Sequence, residues 1–222
     1  MHLPVLAALL LVAPAVHAPA PVFAVPAQSA TTPATAPAAD TLILVAADEG
    51  NVARYRVREQ LARLDFPNDA VGETRNVSGS LMVTSDGQVL REGSRFVIRL
   101  AELESDQDRR DNFLRRNTLN TEEYPDAVFV PTGTRGLDFP LAEGAVRFEL
   151  LGEMTIRDVT RPVTWEVDAE VLAGGAMLGR AETRFTFGEM GLTIPSVGSV
   201  LSIRDDIRLE YDFRLVPAGS QP

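Results

Sequence analysis

Polar and apolar residues alternate with period two over long stretches of the chain. Pro162 to Val171 reads PVTWEVDAEV, placing Val163, Trp165, Val167, Ala169 and Val171 on one face and Thr164, Glu166, Asp168 and Glu170 on the other. Ile207 to Leu215 repeats the pattern, with Ile207, Leu209, Tyr211, Phe213 and Leu215 set against Arg208, Glu210, Asp212 and Arg214. Val146, Phe148 and Leu150 alternate with Arg147 and Glu149, and Ala181, Thr183, Phe185 and Phe187 alternate with Glu182, Arg184 and Thr186. Phe96, Ile98 and Leu100 face away from Arg95 and Arg99. Such alternation means one buried face and one in water, the mark of antiparallel sheets. Turn signals such as Ser85-Asp86-Gly87, Arg91-Glu92-Gly93, Glu143-Gly144 and Gly174-Gly175 separate the runs. About eight strands are predicted. Eight antiparallel strands with one apolar face close most economically into a barrel, because closure removes the exposed edges. At that strand number the interior holds either side chains or one small ligand.

One segment departs from the alternation. RRDNFLRRNTL, residues 109 to 119, follows Ser105-Asp106 and precedes Tyr124-Pro125. A serine N-cap, acids in the first turn and Arg115 and Arg116 in the last fit a short helix over about 105–116, each charge placed where the helix dipole favours it. Asn117 suits its C-terminal cap, and the Tyr-Pro step returns the chain to extended backbone. Phe113 and Leu114 form its apolar side and the arginines snorkel. The helix is expected to cover a barrel end.

Composition narrows the function. The chain has 222 residues and a net charge of −10, which argues against nucleic acid as a partner. All 21 basic residues are arginine, there is no lysine or cysteine, and the only histidines are His2 and His17. The apolar run Leu3–Val16 is too short to span a bilayer and ends in Val16-His17-Ala18, which reads as a secretory leader over 1–18 cleaved near Ala18, with Ala24 a second candidate. Residues 19–39 are rich in Pro, Ala and Thr and uncharged, and read as a disordered linker. The folded domain is expected over 40–217, periplasmic or secreted, with no transmembrane span in the mature chain. A mature chain without Cys, Lys or His lacks the usual nucleophilic, Schiff-base and zinc constellations, which leaves carboxylate chemistry as the surviving enzymatic mechanism. Asp205-Asp206 and Asp106-Gln107-Asp108 lack the spacing of a calcium loop, so no metal is expected.

Several stretches, in order and over some 160 residues, resemble the YceI-like proteins. They are Ala70-Val71-Gly72 with Val77-Ser78-Gly79, then Ser105-Asp106 with Arg110-Asp111 and Phe113-Leu114, then Tyr124-Pro125 and Phe129. Gly152-Glu153-Met154-Thr155-Ile156 leads through Val159-Thr160-Arg161-Pro162-Val163 to Trp165, and Phe187-Gly188 through Gly191 to Ile207, Leu209 and Glu210. The resemblance implies a lipocalin-like barrel that binds a polyisoprenoid or quinone-like lipid without other cofactors and without catalysis. Two positions depart from the family pattern: Phe113 and the Gly50-Asn51 pair stand where many members carry histidine. The inward faces and the helix collect Phe96, Phe113, Phe129, Phe148, Met154, Trp165, Phe185, Phe187, Met190, Tyr211 and Phe213, the expected lining of an apolar tunnel. The same side chains would serve equally to fill a solid barrel. Two rival readings follow: a filled-barrel interaction or stress protein, and a glycosidase-like enzyme. The latter needs two inward acids, whereas Glu166, Asp168 and Glu210 fall on outward faces. A homodimer is left open as the assembly.

Overall fold

Strand follows strand along the chain: β1 (Thr41–Ala46), β2 (Val52–Leu61), β3 (Asn68–Thr74), β4 (Val77–Thr84), β5 (Arg95–Arg99) and β6 (Glu104–Ser105) precede the short helix α1 (Asp108–Phe113). After it come β7 (Asp126–Arg135), β8 (Gly144–Ile156), β9 (Val159–Val171), β10 (Met177–Phe185) and β11 (Val200–Pro217). This computed structural model describes residues 41–219, so the expected leader and linker lie outside the described residues.

Every pairing is antiparallel, and the sheet runs β1-β4-β5-β7-β8-β9-β10-β11 before closing through β1 on β11. That is a ring of eight, as the alternation predicts. β2, β3 and β6 prolong it at one end: β2 continues β1 along the same edge of β11, β3 pairs with β2, and β6 pairs with β3. The first three runs of the ring are therefore long strands broken once each. At the first break, Asn51 is buried and does the work of a backbone group. Its Nδ2 donates to the Ala47 carbonyl at 2.7 Å, while its Oδ1 accepts from the Arg214 amide at 3.2 Å and the Tyr211 hydroxyl at 2.6 Å. Buried polar groups must be paired, and this one residue satisfies three partners where the ladder lapses.

The inward faces carry the core. Val167, Met177, Met154, Leu44 and Val83 are almost fully buried, and Phe96, Phe129, Phe148, Trp165, Phe185 and Phe213 join them in one cluster. Two inward glycines make room for rings. A Cβ on Gly72 would stand 2.4 Å from Cε1 of Tyr55, and one on Gly152 would stand 2.4 Å from Cε2 of Phe129. The rings lie directly over backbone, so neither site accepts a side chain without moving an aromatic.

The helix begins later than its sequence suggests. Ser105 ends β6 rather than capping α1, because its amide (3.0 Å) and hydroxyl (2.5 Å) both donate to the Asp111 carboxylate. Gln107 takes the N-cap position with no side-chain bond. After Phe113 the backbone widens into a π-type turn over Leu114–Thr118, closed by the Leu119 amide on the Leu114 carbonyl at 2.9 Å. The left-handed residue that follows is Asn120, not Asn117. No helix among the described residues is long and apolar enough to cross a membrane.

Candidate functional site

The barrel is hollow. A cavity of about 370 Å³ runs through it, and the side chains around it are overwhelmingly apolar. Its walls come from strands all round the ring and from the segment Gln107–Leu119, whose Phe113 and Leu114 close one end. That volume falls in the range of small-molecule pockets, about 300–1,000 Å³.

Of the eleven side chains expected to line a tunnel, ten meet at this cavity. Phe96 on β5 and Phe129 on β7 face each other across one register pair, and Phe129 stands edge-on to Trp165 of β9 at 6.0 Å between centroids. Phe148 and Met154 contribute from β8, Phe185 from β10, Phe187 from just beyond it and Phe113 from the helix. Tyr211 and Phe213 of β11 complete the set, with Tyr211 edge-on to Phe96 at 6.3 Å. Met190 does not line the cavity. It is fully buried in the short turn Gly188–Met190, where it joins the same hydrophobic cluster beside β9 without bordering the cavity.

Polar residues on the cavity wall were not foreseen, Tyr55, Glu59 and Arg110 among them. Along β2, Tyr55, Val57 and Glu59 occupy the inward register, while Arg54, Arg56 and Arg58 alternate with them and pair with acids of the neighbouring strands. Alternate arginines along β2 would have revealed that register. Glu59 is buried and meets Arg110 of α1, Nη2 to Oε1 at 2.9 Å. Arg110 also bonds Asp106, so one guanidinium ties the helix to β2 at the cavity's end. The Tyr55 hydroxyl and Trp165 Nε1 are buried with no protein partner among the described residues. Tyr211, by contrast, donates its hydroxyl to Asn51. Gly50-Asn51, one of the two departures from the family pattern, is thus a structural splice in this chain.

The outward acids are engaged or exposed. Glu166 and Asp168 lie on the wet face. Glu210 lies in the outward register but is buried beneath Arg56 (3.1 Å) and Arg208 (3.5 Å). Burial opposes its ionisation, yet the bond and charge of Arg56, joined by Arg180 and Arg208, hold it below the usual carboxylate range. Glu59 and Glu210 both border the cavity, and each is held by arginine.

Burial pushes the Tyr55 phenol up to about 12, against an ordinary value of 10.0; the nearby Arg110 charge opposes the shift without cancelling it. Tyr211 is raised as well, by burial. A phenol favoured in its neutral form by folding contributes stability that is whole below the unfolded value and declines as pH rises toward the folded one. Denaturant stability is therefore expected to fall from about pH 10 upward, and Tyr55→Phe should make that fall shallower. Identical alkaline profiles for the two proteins would contradict the assignment.

A family model, the YceI-like domain, matches residues 51–215. Comparison with functionally curated proteins finds no match. Among solved structures, the chain is similar to a polyisoprenoid binding domain from Saccharophagus degradans at 12% identity and TM-score 0.60, covering 79% of this chain and 98% of that one. It is similar also to Burkholderia cenocepacia BcnA at 12% identity and TM-score 0.54, over 75% and 96% of the two chains. The Campylobacter jejuni YCEI protein matches at 16% identity and TM-score 0.52, over 72% and 91%. At such identities these structures speak to the fold. The family match spans most of the chain and coincides with the closed ring and its cavity, and the chain belongs to the YceI-like domain family.

Proposed function

We propose that this barrel binds a long apolar lipid, isoprenoid or quinone-like, in its interior and does no catalysis on it. The observation that carries the reading is the cavity of about 370 Å³ with its aromatic and aliphatic walls. Its contents need only be greasy and narrow. A tail burying on the order of 500 Å² of apolar surface gains roughly 12 kcal/mol before ordering and association costs remove much of it. The similarity to a polyisoprenoid binding domain from Saccharophagus degradans supports the same ligand class. A filled-barrel interaction protein fits less well, since a filled barrel would leave no void of this size.

The absence of catalysis is read from the site's chemistry. Glu59 and Glu210 are each committed to arginine, and among the described residues the cavity presents no pair of free carboxylates. The place of action is proposed to be the periplasm or the exterior, on the strength of the apolar run Leu3–Val16 and the small residues at its end.

Native mass spectrometry of freshly purified protein, followed by organic extraction, tests the reading. A co-purifying apolar species near one per chain is the expected result. An apo mass that stays unchanged after incubation with detergent-solubilised isoprenoid and quinone lipids would overturn it.

A further inference from the structure

Among the described residues, five large hydrophobic side chains are exposed: Leu64, Phe66, Leu178, Ile194 and Leu201. Four of them belong to two segments that touch. Leu64 and Phe66 sit at the tip of the β2–β3 hairpin, and Ile194 and Leu201 belong to the loop before β11 and the start of β11 itself. The Ala62 amide donates to the Ser199 carbonyl at 3.0 Å, and Leu61 pairs with Val200 in the ladder. Phe66 is 80% exposed and Leu201 68%. Isolated exposed leucines mean little, but several gathered at one end of a molecule mark an interaction surface.

The same two segments form part of the cavity wall, through Leu61, Pro195, Val197 and Val200. The exposed side chains are therefore the outward continuation of the cavity's own lining. Local charge differs from the rest of the chain as well. Residues 61–67 and 191–204 together carry only Arg63, Asp65 and Arg204, in a protein whose net charge is −10. The acidic walls are repelled by an anionic surface, whereas these two segments, with two arginines against one aspartate, are not. The two arginines make no ion pair among the described residues and stand beside the apolar tips. Phenylalanine and leucine at the acyl boundary with arginine at headgroup depth is the pattern of an interfacial anchor.

We infer that the hairpin tip and the loop before β11 form a docking surface for an anionic phospholipid bilayer, one that sets this part of the cavity wall against the membrane from which an apolar ligand is drawn. The purpose of this surface rests on the proposed lipid binding, but its existence is tested separately. The full chain is mixed with phosphatidylglycerol–phosphatidylethanolamine vesicles and sedimented, alongside the double variant Phe66→Ser, Leu201→Ser. Both side chains are exposed, so the variant is expected to keep its unfolding midpoint. It should lose at least tenfold in vesicle affinity and take up lipid from vesicles correspondingly slowly, while binding detergent-delivered lipid like the parent. A parent protein that stays in the supernatant, or a variant that sediments with it equally, would overturn the inference. So would substitutions that abolish self-association in sedimentation velocity while vesicle binding is absent from both proteins, which would assign the surface to a second copy. Loss of detergent-delivered binding in the parent would instead count against the cavity ligand and leave the vesicle result standing.

Discussion

Replacing Ala181 with phenylalanine is expected to exclude the ligand and leave the barrel folded. Ala181 is buried on β10, inward between Val167 of β9 and Tyr211 of β11, and borders the cavity. A benzyl group there grows into a void of about 370 Å³ rather than into packed atoms. Overpacking a dense core costs about 1–3 kcal/mol, but filling an existing space restores dispersion contacts that the void leaves unmade. Denaturant stability should therefore change by less than about 1 kcal/mol. Lipid occupancy by native mass spectrometry, and affinity for a fluorescent isoprenoid analogue, should fall at least tenfold. A folded Ala181→Phe protein that still carries its ligand would show that the ligand lies elsewhere.

The second large effect is on stability. Removing Arg110 by mutation to alanine leaves Glu59 buried, charged and without its partner, since the 2.9 Å contact to Nη2 is its ion pair. Breaking one side of a buried pair costs about 3–5 kcal/mol, and because Arg110 retains some exposure the lower end applies, about 3 kcal/mol. Replacing both partners, Glu59→Leu with Arg110→Leu, should recover most of that loss, because no uncompensated charge then remains. Urea unfolding of the single and double variants measures the difference. Equal stabilities for Arg110→Ala and the parent would mean that the pair is solvated in solution.

The ring was legible because its later strands obey strict alternation, from Val163 to Val171 and from Ile207 to Leu215, and a half-buried strand cannot hide that period. Ten of the eleven side chains chosen from the inward faces and the helix stand at one cavity. The exception, Met190, falls where the strand period has already ended and a short turn decides direction. Whether the barrel was hollow could not be read from composition, because an aromatic facing a void and one facing another aromatic have the same neighbours in sequence. The polar residues of β2 escaped for a different reason. Glu59 breaks the binary rule, and its justification, Arg110, lies far away in sequence on another element. The start of the helix was misjudged by a few residues because Ser105 had two ways to be satisfied: accepting from the amides of the helix's first turn, or donating to the Asp111 carboxylate, which is the bond it makes.

The ring closes through its first and last members, Ala46 beside Leu215 and Val45 beside Val216. Until β11 has been made, therefore, a nascent chain has an open sheet whose two free margins, on β10 and on the β1–β2 run, both await the same strand. Contacts so distant in sequence form slowly. A chain cut short before Val200 would be not a leaky barrel but an adhesive ribbon, apolar on one face and unpaired along both sides, and its fate would be set by aggregation rather than by weakened ligand affinity.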